Sequence, residues 1–262
     1  MSLELPIYQI DAFAEGDFLG NPAAVCPLKE WLPDCLLQSI AEENNLSETA
    51  FYVREGEGFR IRWFTPTVEV DLCGHATLAA ARVVFDREGI RGDTVLFQSR
   101  SGALLVKREG KYYRLDFPSQ PGKPCKSPEM LIRGLGVAPS FCLRSVDYIA
   151  VFESEEDVAA LDPDFAILKG LDLRGVIATA PGVDVDFVSR FFAPSHGINE
   201  DAVTGSAHCA LAPYWSERLD RNPLTAWQIS RRGGVLRCRT DNDRILISGK
   251  TRLFLQGTIY VS

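Results

Sequence analysis

Two stretches of this chain recur in the same order at nearly the same distance, and that repeat limits the fold more than any other feature. Arg62-Trp63-Phe64-Thr65-Pro66 is echoed by Arg190-Phe191-Phe192-Ala193-Pro194, and Gly74-His75-Ala76-Thr77-Leu78-Ala79-Ala80-Ala81 by Gly205-Ser206-Ala207-His208-Cys209-Ala210-Leu211-Ala212. Arg62 thus answers to Arg190 and Gly74 to Gly205, two nearly equal offsets that are each close to half of the 262-residue length. A strand, a proline loop, a glycine and an alanine-rich helix therefore occur twice, with three residues inserted between them in the second copy. Chance explains either match alone. Both matches, in order and at one spacing, point to duplication and two like halves.

The two alanine-rich segments carry small residues around most of their circumference, and a helix apolar on all sides is buried on all sides. Short runs rich in β-branched and aromatic residues surround them and read as strands: Pro6 to Phe13, Thr49 to Arg54, Phe59 to Phe64, Thr94 to Gln98, Ala103 to Arg108, Tyr112 to Phe117, Tyr148 to Phe152, Val176 to Ala180, Asp186 to Phe192, and Arg244 to Leu255 with a break at Gly249. Helices are expected at Pro33 to Asn44, Gly74 to Glu88, Ser127 to Leu135, Glu155 to Leu161 and Gly205 to Arg218. The simplest assembly is an α+β fold in which a curved, antiparallel sheet wraps a central helix, made twice.

Glycine ahead of a buried helix lets free backbone N–H groups approach a ligand, and a helix N-terminus favours an anion such as a carboxylate. Gly74 and Gly205 could clamp one acid in this way; alternatively, they serve only as tight turns. Glu48 stands at the entrance to the apolar strand that follows it, where burial favours the protonated carboxyl and suits a proton carrier. Taken alone it could equally be a solvated glutamate. His75 at a helix start could orient a substrate, relay protons or cap the helix. Asp201 enters the second helix, where helix-dipole stabilisation or capping is its bland explanation.

Composition narrows the partners. Lys and Arg total 28 against 35 Asp and Glu, a formal charge of −7, and basic clusters such as Arg231-Arg232 are short, so no nucleic-acid partner is expected. Hydrophobic residues make up 46% and charged ones 24%, which excludes a disordered or fibrous chain. No apolar run approaches the ~20 residues of a membrane span, and Met1 to Ile10 does not read as a signal peptide, so a cytoplasmic location with no membrane partner is expected. The seven cysteines, at 26, 35, 73, 125, 142, 209 and 238, are scattered without a Cys-x-x-Cys pair and read as reduced thiols. The three histidines, at 75, 196 and 208, lack zinc-site spacing, and no metal is expected.

Asp11-Ala12-Phe13 with Gly20-Asn21-Pro22-Ala23-Ala24-Val25, Asn45-Leu46-Ser47-Glu48-Thr49-Ala50-Phe51, Arg62 to Pro66, Asp71 to Thr77, Asn199 to His208 and Ser248-Gly249-Lys250 run in order along the whole chain. Together they resemble the phenazine-biosynthesis PhzF-like family. The resemblance implies the diaminopimelate epimerase-like fold: two pseudo-symmetric domains, each an antiparallel β-barrel around a central helix, with the active site in the cleft between them. The corresponding boundaries are residues 1–118, completed by strand 251–262, and 119–250. It also implies cofactor-independent acid–base isomerisation of a small carboxylate-bearing substrate, and a homodimer. Glu48 matches the family's proton-transferring glutamate; His75, Asp201 and Ser206 match residues that hold substrate and support proton movement; the backbone at Gly74 and Gly205 would receive the carboxylate.

Related epimerases use two cysteine thiols, one per half. Cys73 stands where the first would be, and the matching position of the second half is read at Ala202. One thiol short, the chain is expected to be an isomerase led by Glu48. Epimerisation by non-thiol groups such as Glu48 and Asp201 is the second reading, and a non-catalytic metabolite-binding protein the third.

Overall fold

The computed structural model describes residues 3–261, and these divide into two compact units with boundaries at Asp116/Phe117 and Ile247/Ser248. In chain order the first unit holds β1 (Leu3–Ala12), β2 (Asn21–Leu28), α1 (Asp34–Asn44), β3 (Glu48–Glu55), β4 (Gly58–Phe64), β5 (Glu69–Val70), α2 (Gly74–Arg87), β6 (Thr94–Ser99), β7 (Gly102–Glu109) and most of β8 (Tyr112–Pro118). The second holds β9 (Lys123–Pro124), α3 (Glu129–Leu135), β10 (Phe141–Arg144), β11 (Tyr148–Val151), α4 (Glu155–Ala159), α5 (Phe165–Leu168), β12 (Val176–Pro181), β13 (Phe187–Ala193), β14 (Ile198–Asp201), α6 (Gly205–Leu219), β15 (Leu224–Gln228) and β16 (Gly234–Asp241). The last strand, β17 (Arg244–Val261), starts in the second unit and ends in the first. Among the described residues no helix is long and apolar enough to cross a membrane.

In the first unit the pairing runs β17–β1–β2–β3–β4–β6–β7–β8 and returns to β17, a closed barrel. Closure leaves the barrel with no free edge to recruit another strand. Helix α2 packs against β1, β2, β3 and β6, and nearly every side chain from His75 to Phe85 is buried, as its largely apolar circumference requires. Helix α1 covers another face: Leu37, Ile40 and Ala41 pack with Leu5, Cys26, Leu28, Phe51 and Phe64. Strands β2 and β3 are thus buried between two helices. Each large side chain sealed there, such as Phe51, contributes roughly 1.5–3 kcal/mol.

Pairing is antiparallel except where a helix joins the strands. The β2–β3 pair, bridged by α1, and the β4–β6 pair, bridged by α2, are parallel, because a parallel return needs a long crossover. The second unit repeats the scheme, with β11–β12 parallel around α4 and α5, and β13–β15 parallel around α6. The barrels expected from sequence as antiparallel are so in most of the described pairings, with these four parallel pairs as the departure.

The repeat extends to an ion pair that the sequence comparison did not single out. Arg62 donates from Nε and Nη2 to both oxygens of Glu69 at 2.7 and 2.8 Å, and its guanidinium lies 5.1 Å from the Phe64 ring centre. Arg190 does the same with Glu200 at 2.7 and 3.0 Å, 5.0 Å from the Phe192 ring. The two arginines keep the offset of the strands and the two glutamates that of the helices, so the inserted residues fall in the turn at Pro194–His196 and Gly197. Arg190 Nη1 also donates to the carbonyls of Val158 and Leu161, at 3.2 and 2.7 Å. Arg190→Ala strands a largely buried carboxylate and these acceptors, and a loss of about 3 kcal/mol is expected by urea denaturation. Arg252→Ala, at an exposed pair with Asp17, is the contrast, with a change below about 1 kcal/mol.

Candidate active site

In the first unit the structure brings Glu48, Cys73 and His75 together from two elements. Glu48 opens β3 opposite Ala23 of β2, which fixes where its carboxylate begins. Cys73 is the N-cap residue of α2 and His75 lies in its first turn. His75 Nε2 stands 3.1 Å from Glu48 Oε2, with the two side chains only 6% and 12% exposed. Both atoms are sealed from solvent, yet neither forms an aligned hydrogen bond. They meet at contact distance with donor and acceptor capacity unspent.

The other edge of the imidazole is held by Cys73 and by Asn21, to which sequence reading gave no role. Nδ1 lies 3.3 Å from Asn21 Nδ2 and 3.6 Å from Cys73 Sγ, and Ser47 Oγ reaches Asn21 Oδ1 at 3.5 Å. In the neutral ring the Asn21 amide donates to Nδ1, which leaves the ring proton on Nε2, facing Glu48. Burial opposes charge on His75, but its interactions with Cys73 and Glu48 outweigh it and hold its pKa well above the ordinary imidazole value. Nε2 therefore carries a proton in either form. Cys73 moves the opposite way: burial first, then the Glu48 charge, raises its pKa, so it stays a thiol.

The ligand atoms of these three side chains lie within 4.8 Å of one another, a Glu/Cys/His grouping that linear spacing did not foresee. The thiol faces Nδ1 and the carboxylate faces Nε2, on two edges of one ring.

The second unit repeats the helix start with different chemistry. Gly205 opens α6 as Gly74 opens α2, and neither helix has a side-chain cap, so the first N–H groups of each are left to other partners. The N-cap residue of α6 is Thr204, directly before Gly205 as Cys73 is directly before Gly74. This corrects the placement of the missing thiol at Ala202: Thr204 takes the place of Cys73. Asp201 ends β14, is buried, and accepts from Thr204 Oγ1 at 2.5 Å. Gln228 of β15, fully buried, donates to the Asp201 carbonyl at 2.8 Å and accepts from Thr204 N–H at 2.8 Å. No sequence signal links Gln228 to Asp201. Ser206, the counterpart of His75, is partly exposed in the first turn of α6.

Equivalent positions brace both helix starts. Thr77 Oγ1 donates to the Cys73 carbonyl at 2.5 Å, and His208 Nδ1, its counterpart in the second half, to that of Thr204 at 2.8 Å. Burial depresses the pKa of His208 to about 4, so it is neutral in the fold. The unfolded chain binds its proton near pH 6.5, so this contribution is whole above about 6.5 and lost as pH falls towards 4. The loss is about 3 kcal/mol. Urea unfolding at pH 7 and pH 4, with His208→Asn as reference, measures it as the part of the pH dependence that the variant lacks.

The comparisons with known proteins agree with this architecture. The family model described as "Phenazine biosynthesis-like protein" (PhzC-PhzF) matches residues 10–129 and 142–257. An uncharacterized isomerase of Pseudomonas aeruginosa is 52% identical over 259 residues, covering 99% of this chain and all of the relative. The crystal structure of a PhzF-family phenazine biosynthesis protein from Enterococcus faecalis superposes with a TM-score of 0.96 at 48% identity, covering 99% of this chain and 100% of that one. A hydroxyproline epimerase from Agrobacterium vitis, at 9% identity and a TM-score of 0.62 over 98% of this chain and 93% of its own, shares the fold alone. With the family model spanning nearly the whole chain and half the residues of a full-length relative identical, the chain belongs to the PhzC-PhzF phenazine biosynthesis-like family, a family of isomerases.

Proposed function

We propose that the chain is a cofactor-independent isomerase that shifts a proton within a small, unsaturated or cyclic amino or hydroxy acid bearing a carboxylate. One observation carries this reading: Glu48 Oε2 and His75 Nε2 face each other at 3.1 Å, sealed from water and without aligned partners. A carboxylate facing an imidazole N–H can serve as base and then as acid. Glu48 takes a proton from a carbon made acidic by neighbouring unsaturation and returns it to another carbon of the same molecule. His75 holds the carboxylate in position. The family resemblance gives Asp201 and Ser206 the role of holding substrate and supporting proton movement, and each uncapped helix start, at Gly74 and at Gly205, suits a carboxylate.

Cys73 as a buried thiol, and Thr204 rather than cysteine in the repeat, weigh against two-thiol epimerisation. The test is deuterium uptake from heavy water into a panel of small unsaturated amino and hydroxy acids. Label at a carbon remote from the stereocentre supports the proposal. Label at the stereocentre with inversion replaces it by epimerisation, and no label in any acid that binds replaces it by a binding role.

A further inference from the structure

We infer that Cys125 and Cys142 form a reversible disulfide under peroxide, a modification site in the second unit outside the Glu48 and Asp201 clusters. Strands β9 and β10 pair antiparallel with Pro124 opposite Leu143 and Lys123 opposite Arg144, so the next rung sets Cys125 opposite Cys142. The Cys125 N–H donates to the Cys142 carbonyl at 3.0 Å. Facing residues in such a ladder hold their Cα atoms about 4.5–5.5 Å apart, inside the roughly 4.4–6.8 Å that a disulfide spans. The sulfurs are already 3.6 Å apart. Bonding them takes side-chain rotation, not movement of strands.

The two thiols differ in access. Cys142 is buried with Leu131 and Leu135 of α3, while Cys125 is only partly buried at the rim of that cluster. Cys125 is the sulfur a peroxide reaches. Its thiolate attacks one peroxide oxygen, giving a sulfenic acid and, after proton uptake, water. The Cys142 sulfur then displaces the sulfenic hydroxyl; the S–S bond forms and a second water leaves with the Cys142 proton. Two thiols and one hydrogen peroxide give one disulfide and two waters. The bond would close the segment that carries α3, pinning it to β10.

Hydrogen peroxide treatment of the whole chain, followed by digestion and mass mapping, tests this. The expected result is a linked peptide pair containing Cys125 and Cys142, two hydrogens lighter than the separate peptides and released by dithiothreitol. Cys125→Ser abolishes it, and in Cys142→Ser the Cys125 sulfenic acid is instead trapped by dimedone. Exposed Cys35 serves as the internal gauge of oxidation. The inference is overturned if Cys35 is fully oxidised while Cys125 and Cys142 remain thiols. Conversion of wild-type Cys125 to sulfinic acid without a linked pair, or linkage of Cys142 to another cysteine, overturns it equally. The wild-type map decides the matter even where a variant does not fold.

Discussion

Glu48→Gln is expected to lower isomerase turnover, and with it deuterium uptake into substrate, by roughly 10²–10⁴-fold, the range of a lost general acid–base group. Glutamine keeps the shape at the start of β3 but cannot take a proton, so the helix, barrel and binding surfaces stay as they are. Circular dichroism and the thermal midpoint should remain near wild type. A second readout separates lost chemistry from lost structure. With the carboxylate gone, the Glu48 contribution to the raised His75 pKa is removed, and burial, which acts the other way, gains weight. An NMR titration should show the His75 pKa moving down in the variant. Full turnover in Glu48→Gln would remove Glu48 from the mechanism.

Gly249→Ala is expected to cost about 3 kcal/mol, the upper range for overpacking a tight core. A Cβ at position 249 would lie 2.3 Å from Phe13 Cδ1, 3.0 Å from Cε1 and 3.2 Å from its Cα. Phe13 cannot give way: its ring is fully buried, its backbone sits at φ 60°, and Ala14 N–H is tied to the Lys250 carbonyl at 3.1 Å. Gly257→Ala in the same strand is the control, since its new Cβ meets nothing nearer than Ile7 Cγ2 at 3.9 Å. That change should stay within about 0.5 kcal/mol. Guanidinium unfolding of both variants checks the contrast; equal stabilities would mean that β17 shifts freely around Phe13.

Gly249 also illustrates where sequence reading runs short. Glycine inside a strand pattern suggests a break, yet β17 runs unbroken from Arg244 to Val261. The residue is small because a phenylalanine distant in sequence lies on its backbone. Strand β2 escapes sequence reading for a related reason. Pro22, Pro27 and its alanines obscure a strand signal, and burial on both faces erases the alternation that marks a half-exposed strand. Strands β15 and β16 escape it as well.

What the linear order did determine is local or repeated. The duplication, the buried alanine-rich helices, the glycines at their starts and the position of Glu48 at a strand entrance all follow from neighbouring residues and one offset. These features depend on backbone propensity and side-chain periodicity, which consecutive residues carry. Only the tertiary structure decided that Asn21 steadies His75, that Gln228 holds the Asp201 loop, and that Glu69 and Glu200 complete a twice-made arginine pair. Most of these partners lie many residues apart, and they meet because strand pairing and helix burial close the chain on itself. Hydrogen bonds and charge pairs are made wherever the closed barrel leaves a polar atom within reach, and no short stretch of sequence records that distance.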